Sequence, residues 1–242
     1  MGTRNPEGYV TSPVERRSYA IFFLGQNLIW GFIGYISTFL TDIGISAAKA
    51  AAILIIPKVW DAVNDTIFGY FVDSHNFKNG QKFLPWVKIG TAAVGLTAVA
   101  IFLIPASLSE TLKIVWFVVA YLLFDAAYTI LDSPAFAVTT VMTGNVQERT
   151  KIIANGKLWA MVGGTLATVL IPVMEAKLGW GMSSIAFVVI SVPLMLPMAF
   201  KVKERHSETI TAEETPTFKQ RRRGGKALGQ RARPFGLRGL SA

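Results

Sequence analysis

Lys58-Val59-Trp60-Asp61-Ala62-Val63-Asn64-Asp65-Thr66-Ile67-Phe68-Gly69 is the stretch that decides how the chain folds. It lies inside an apolar run at 47–72. Such a run is long enough to cross a bilayer, whose hydrocarbon core takes about 20 residues of helix. Asp61, Asn64 and Asp65 interrupt it, and offsets of three and four place them on one helix face. An ionisable side chain at membrane depth is costly unless it faces a bundle interior or a watery cavity. The stretch therefore predicts a membrane helix with a functional inner face rather than a helix of a soluble core.

Five more apolar runs flank it, at 19–40, 86–104, 112–131, 157–174 and 182–200. The predicted fold class is all-α, a polytopic membrane protein with six transmembrane helices. Lys and Arg set the orientation, because they concentrate in cytoplasmic loops. Arg4, Arg16 and Arg17 precede the first span, Lys78, Lys82 and Lys88 surround the second-to-third loop, and Arg149 and Lys151 follow the fourth span. The alternate loops carry only Lys49, Lys113 and Lys177. Both termini are thus expected to be cytoplasmic, in a multi-pass protein of the plasma (inner) membrane. The first run begins after a polar lead and has no small-residue cleavage site, so it reads as a retained helix.

The 242 residues are 52% hydrophobic and 16% charged, and the net charge is +9. Residues 201–242 carry 11 of the 24 Lys and Arg against 4 of the 15 Asp and Glu, so most of the excess sits there. The predicted organisation is a bundle at 1–200 and a basic cytoplasmic tail at 201–242. The tail lacks an amphipathic repeat or interleaved aromatics, and no nucleic-acid partner is expected. There is no Cys, which excludes disulfides, thiolate nucleophiles, Fe–S clusters and CxxC zinc sites. His75 and His206 are far apart in sequence, and no P-loop or GxGxxG motif occurs. No cofactor is expected.

A second polar face sits in the fourth run, where Asp125, Thr129 and Asp132 follow at offsets of four and three. Pro134 comes next and is expected to break or kink the helix there. Two such faces in one bundle offer carboxylate, carboxamide and hydroxyl oxygens, the ligands of a hard cation such as Na⁺ or acceptors for a shared proton. The competing reading is that some acids pair with cations across helices, and Asp125 with a polar group on a neighbouring helix. Gly163-Gly164 between Ala160 and Ala167 reads as a close helix-packing stripe. Trp30, Trp60, Trp86, Trp116, Trp159 and Trp180 read as an interfacial aromatic belt, with Trp159 and Phe136 as alternative platforms for a sugar ring.

The 58–69 stretch resembles the second-helix signature of the glycoside–pentoside–hexuronide:cation symporters, the melibiose-permease-like branch of the major facilitator superfamily. Lys82-Phe83-Leu84-Pro85-Trp86 is similar to that family's KxxPW loop, and Tyr128-Thr129-Ile130-Leu131-Asp132-Ser133-Pro134 to its fourth-helix YTxxDxP stretch. Glu148-Arg149 resembles its cytoplasmic ER pair. The resemblance implies the N-terminal half of a major facilitator fold and sugar:cation symport, driven by Na⁺ or H⁺, not an enzyme. It implies cation binding by Asp61, Asn64, Asp65 and Thr129. It implies sugar binding by Asp132 and, where the family has Arg, by Lys157, which keeps the charge but loses the bidentate fork. The family's first-helix Lys-Asp pair falls on uncharged Gln26 and Asn27, and its aromatic platform on Phe136. The implied substrate is a glycoside, oligosaccharide or pentoside.

Family members have twelve helices with the substrate site between two halves. The expectation is therefore a truncated or frame-disrupted member that needs a second half or self-association to close a pathway. The alternatives are a non-transporting membrane fragment or scaffold, and a lipid-headgroup transferase built on Asp61, Asp65 and Asp73. The transferase reading lacks the DG-x-x-AR element such enzymes use.

Overall fold

The computed structural model describes residues 9–75, 77 and 80–205, and the predicted tail beyond Arg205 lies outside them. Among the described residues every regular element is a helix. α1 (Pro13–Ile33) starts with a capping box: the Glu15 amide donates to the Ser12 hydroxyl at 3.2 Å, and the Ser12 amide donates to the Glu15 carboxylate at 2.7 Å. Pro13 fills the first position, where a missing N–H costs nothing. α2 (Ile36–Asp42) continues after a break at Gly34-Tyr35. α3 (Ala47–Ile53), capped by Ser46, is parted from α4 (Ile55–Ser74) by Leu54 alone. α5 spans Leu84–Phe102 and α6 spans Glu110–Met142. α7 spans Val146–Lys201, with Asn145 accepting from the amides of Gln147 and Glu148.

Four stretches are long and apolar enough to cross a membrane: Pro13–Asp42, Leu84–Phe102, Glu110–Met142 and Val146–Lys201. α4 has the length, but it carries Lys58, Asp61, Asp65 and Asp73. Two expectations are corrected. Of the break or kink expected at Pro134, the break does not occur: α6 runs through it to Met142. Proline removes one backbone donor, and a helix flanked by others tolerates that loss. The expected loop between the fifth and sixth apolar runs is instead a break at one residue. Gly179 (φ 71°, ψ 171°) divides α7 into two helical segments, in a conformation that glycine adopts without a Cβ clash.

α1 packs along α7, α5 against α6 and α7, and α4 against α6. Glycines permit the close approaches. A Cβ on Gly31 would stand 2.4 Å from the Ala167 Cβ, and one on Gly90 would stand 2.9 Å from the Leu131 Cα. Phe32, Phe39, Phe102, Phe187 and Trp180 form an aromatic cluster, with Phe32 edge-on to Phe102 at 4.5 Å. Large apolar side chains such as Leu96, Val169 and Val189 point outward, as a lipid-facing surface requires.

Polar contacts gather at the two ends of the bundle. At one end, buried Glu148 accepts from the amides of Val10 and Thr11 and from the hydroxyls of Thr11 and Thr143. Arg205 grips Glu15 with two bonds of 2.8 Å, and Glu15 also accepts from the Lys203 amide. The hydrogen bond to Glu15 holds the Arg205 guanidinium above its ordinary pKa. Glu204 accepts from the amides of Lys82, Phe83 and Leu84, the unpaired donors at the start of α5. At the other end Lys49 pairs with Glu110 at 2.8 Å, Lys113 donates to the Ile43 carbonyl, and Trp180 donates to Asp42.

Candidate functional site

The two predicted polar faces meet. α4 carries Asn64 to α6, where its carboxamide is buried. The Asn64 Nδ2 donates to Asp125 Oδ2 at 2.9 Å and to Thr129 Oγ1 at 2.8 Å. The Asn64 Oδ1 is buried without a hydrogen-bond donor. The side chains of Asp61 and Asp65 lie outside the described residues; their backbones belong to α4, three residues before and one after Asn64.

One turn beyond Thr129 on α6, Asp132 Oδ1 accepts from Gln26 Nε2 at 2.7 Å. Gln26 sits on α1 and is buried. A cavity of about 420 Å³ joins the two clusters, lined by Trp30, Gly69, Asp125, Tyr128, Thr129, Asp132 and Ser133. The Trp30 and Tyr128 rings stand 4.7 Å apart and tilted. The lining thus joins the aromatic Trp30 and Tyr128 to the carboxylates of Asp125 and Asp132 and the hydroxyls of Thr129 and Ser133. That combination accepts the apolar faces and the hydroxyls of a polyol ring. Among the described residues no group of three or more His, Asp or Glu is placed to hold a metal ion. The oxygen set here is mixed instead.

Three other predicted residues sit apart from this cavity. Asn27 donates to the carbonyl of Phe23 in its own helix at 3.0 Å. Phe136 packs on Phe23 at 4.9 Å, half exposed. Lys157 is exposed on α7 and does not line the cavity. Two lining residues, Trp30 and Tyr128, go beyond the predicted site. Trp30 falls near a span end and so reads as part of the aromatic belt, yet it follows Gln26 by four residues and shares its helix face. Tyr128 belongs to the fourth-helix motif, which gives it no binding role, and it stands directly beside Thr129.

The family profile for MFS/sugar transport proteins matches residues 18–233. The chain is similar to the symporter YnaJ of Bacillus subtilis (strain 168), with 31% identity over 169 residues, 69% of this chain and 36% of YnaJ. It is similar to a symporter of Synechocystis, with 30% identity over 199 residues, 77% of this chain and 36% of the relative. It is also similar to the isoprimeverose transporter of Lactiplantibacillus pentosus, with 25% identity over 202 residues, 79% of this chain and 42% of the relative. The chain therefore spans 36–42% of the length of these relatives. Apolar helices of membrane-crossing length and these matches place the chain in the major facilitator superfamily. Within it, the chain belongs to the glycoside–pentoside–hexuronide:cation symporter family.

Proposed function

We propose that the chain forms the N-terminal half of a symporter that brings a sugar or glycoside across the plasma membrane with Na⁺ or H⁺. The carrying observation is the cavity that Asp125 and Thr129 share with Asp132. The cation is held where α4 meets α6, by Asn64 and Thr129 with Asp61 and Asp65. The sugar lies between the Trp30–Tyr128 wall and the Asp132–Gln26 pair. Because Thr129 and Asp132 are three residues apart on one helix, a bound cation offsets negative charge beside the sugar's hydroxyl partners. Phe136 and Lys157 would join the site only from surfaces that this cavity does not include, such as the face toward a second half or a second copy.

The six-span arrangement belongs to the same proposal, with residues 1–200 as the bundle and 201–242 as a cytoplasmic linker-like tail. Residues 10–15, 82–84, 142–148 and 203–205 are tied together at one end of the bundle. Residues 42–49, 110–113 and 180 are tied at the other. A chain that alternates between those ends makes six crossings, which supports the reading. The excess of Lys and Arg near the first set supports a cytoplasmic position for that end.

Linkage gives the test. In the purified, reconstituted chain, Na⁺ should lower the Kd of a p-nitrophenyl glycoside relative to choline, by roughly 5- to 150-fold. The glycoside should lower the Kd for Na⁺ by the same factor. Asp132→Asn should weaken glycoside binding at least about tenfold, the scale of a lost charged hydrogen bond. A chain that binds neither Na⁺ nor any glycoside of a broad panel would refute the activity and leave family membership intact.

A further inference from the structure

We propose that Asp125 is itself a ligand of the coupling alkali cation, so that the cation site bridges α4 and α6 through the Asn64 carboxamide on one helix and a carboxylate on the other. The proposal rests on reading this cavity as a cation-coupled site, and it concerns a residue to which the family resemblance gives no role.

The Asn64 carboxamide carries the argument. It has two N–H donors, and both are spent, one on Asp125 Oδ2 and one on Thr129 Oγ1. Those two bonds fix the rotation of the amide and leave its carbonyl oxygen to a third partner. That oxygen, Asn64 Oδ1, is buried and has no donor. A buried acceptor without a donor calls for an explanation, and a bound ion is one of the few that supplies it. A monovalent cation beside Asn64 Oδ1 gains a neutral oxygen ligand and needs a nearby negative charge. Asp125 provides the charge one hydrogen bond away and lines the cavity, which gives the ion a route in and out. Asn64 thus both ligates the ion and holds the Asp125 and Thr129 oxygens in place.

The mechanical consequence is direct. An ion held on α6 by the Thr129 hydroxyl alone engages that helix through a neutral oxygen. An ion held also by Asp125 pulls on α6, the helix that carries Asp132 two turns further on.

Asp125→Asn separates ligation from scaffolding. The new amide keeps an oxygen that accepts from Asn64, so the local hydrogen bond survives while the charge is lost. In calorimetric titrations of the full chain with NaCl in a choline chloride background, Asp125→Asn should weaken Na⁺ binding at least about tenfold, the effect seen when a partner in an ion's shell is removed. Unchanged Na⁺ affinity in Asp125→Asn, beside a loss in Asp61→Asn, would overturn the role of Asp125 and leave the cation-coupled reading standing. Absence of Na⁺ binding in the unsubstituted chain would overturn both. Labelling of the unsubstituted chain with dicyclohexylcarbodiimide avoids any folding defect of the variant. Na⁺ should protect Asp125 several-fold relative to choline, read by peptide mass spectrometry. Equal labelling of Asp125 in the two salts would overturn the proposal.

Discussion

Gly163→Ala should destabilise the bundle by about 1–3 kcal/mol, while Gly164→Ala, its neighbour in sequence, should leave stability unchanged or raise it slightly. The two residues differ only in what they face. A Cβ on Gly163 would stand 2.4 Å from the Leu24 carbonyl oxygen and 3.2 Å from the Asn27 Cβ. The Leu24 oxygen is backbone, so relief requires α1 and α7 to move apart along their whole contact. Gly31 against Ala167 and Gly156 against Tyr19 lie on the same seam, and they would lose contact together. A Cβ on Gly164 meets nothing within 4 Å. It would instead remove the backbone freedom that glycine gives the unfolded chain. Reversible unfolding in mixed micelles, followed by circular dichroism, reads the difference between the two variants. Equal stabilities would show that α1 and α7 are not packed as described.

The second large effect is expected at Glu148. Glu148→Ala removes the acceptor for two backbone amides and two hydroxyls, and the bonds from Thr11 and Thr143 are buried. Each buried donor left without a partner costs about 1–3 kcal/mol, so a loss of about 3 kcal/mol or more is expected. Glu148 also lies in the first turn of α7, where the exposed amides of the helix end favour a negative charge. Glu148→Gln keeps one acceptor oxygen but brings an NH₂ group against the Thr hydroxyls, and it should recover only part of the loss. Replacing Glu110, whose partner Lys49 is exposed at 57%, should cost no more than about 1 kcal/mol. The comparison sets a buried acceptor against a surface ion pair in one protein, using the same unfolding measurement.

Helical spacing alone makes the inner faces of α4 and α6 legible in the sequence. Asn64 and the Asp125–Thr129–Asp132 series meet because a 3.6-residue period fixes which side chains share a face. The same period takes Trp30 out of the membrane belt and into the cavity, since it stands four residues beyond Gln26. Hydropathy alone gives it the wrong neighbours. Lys157 and Phe136 show the opposite limit. Their position along a motif is legible, but their direction depends on which helices pack beside them. Whether Pro134 ends its helix is not legible locally, because proline's penalty is set by the surroundings of the freed carbonyl, which local sequence does not contain. The burial of Glu148 is equally hidden. Its partners at Val10 and Thr11 are more than 130 residues away in the chain.

The join between Glu15 and residues 203–205 has a practical consequence. It makes the two ends of the described chain into near neighbours, although almost the whole polypeptide lies between them. The sequence contains no cysteine, so thiols introduced at Val10 and Lys203, both exposed, would be the only ones present. A donor dye on one and an acceptor dye on the other would then glow as a single close pair in the intact molecule. Transfer between them would fall when the Glu15–Arg205 join or the α1–α7 seam opened, so that one optical signal would report the closure of that end of the bundle.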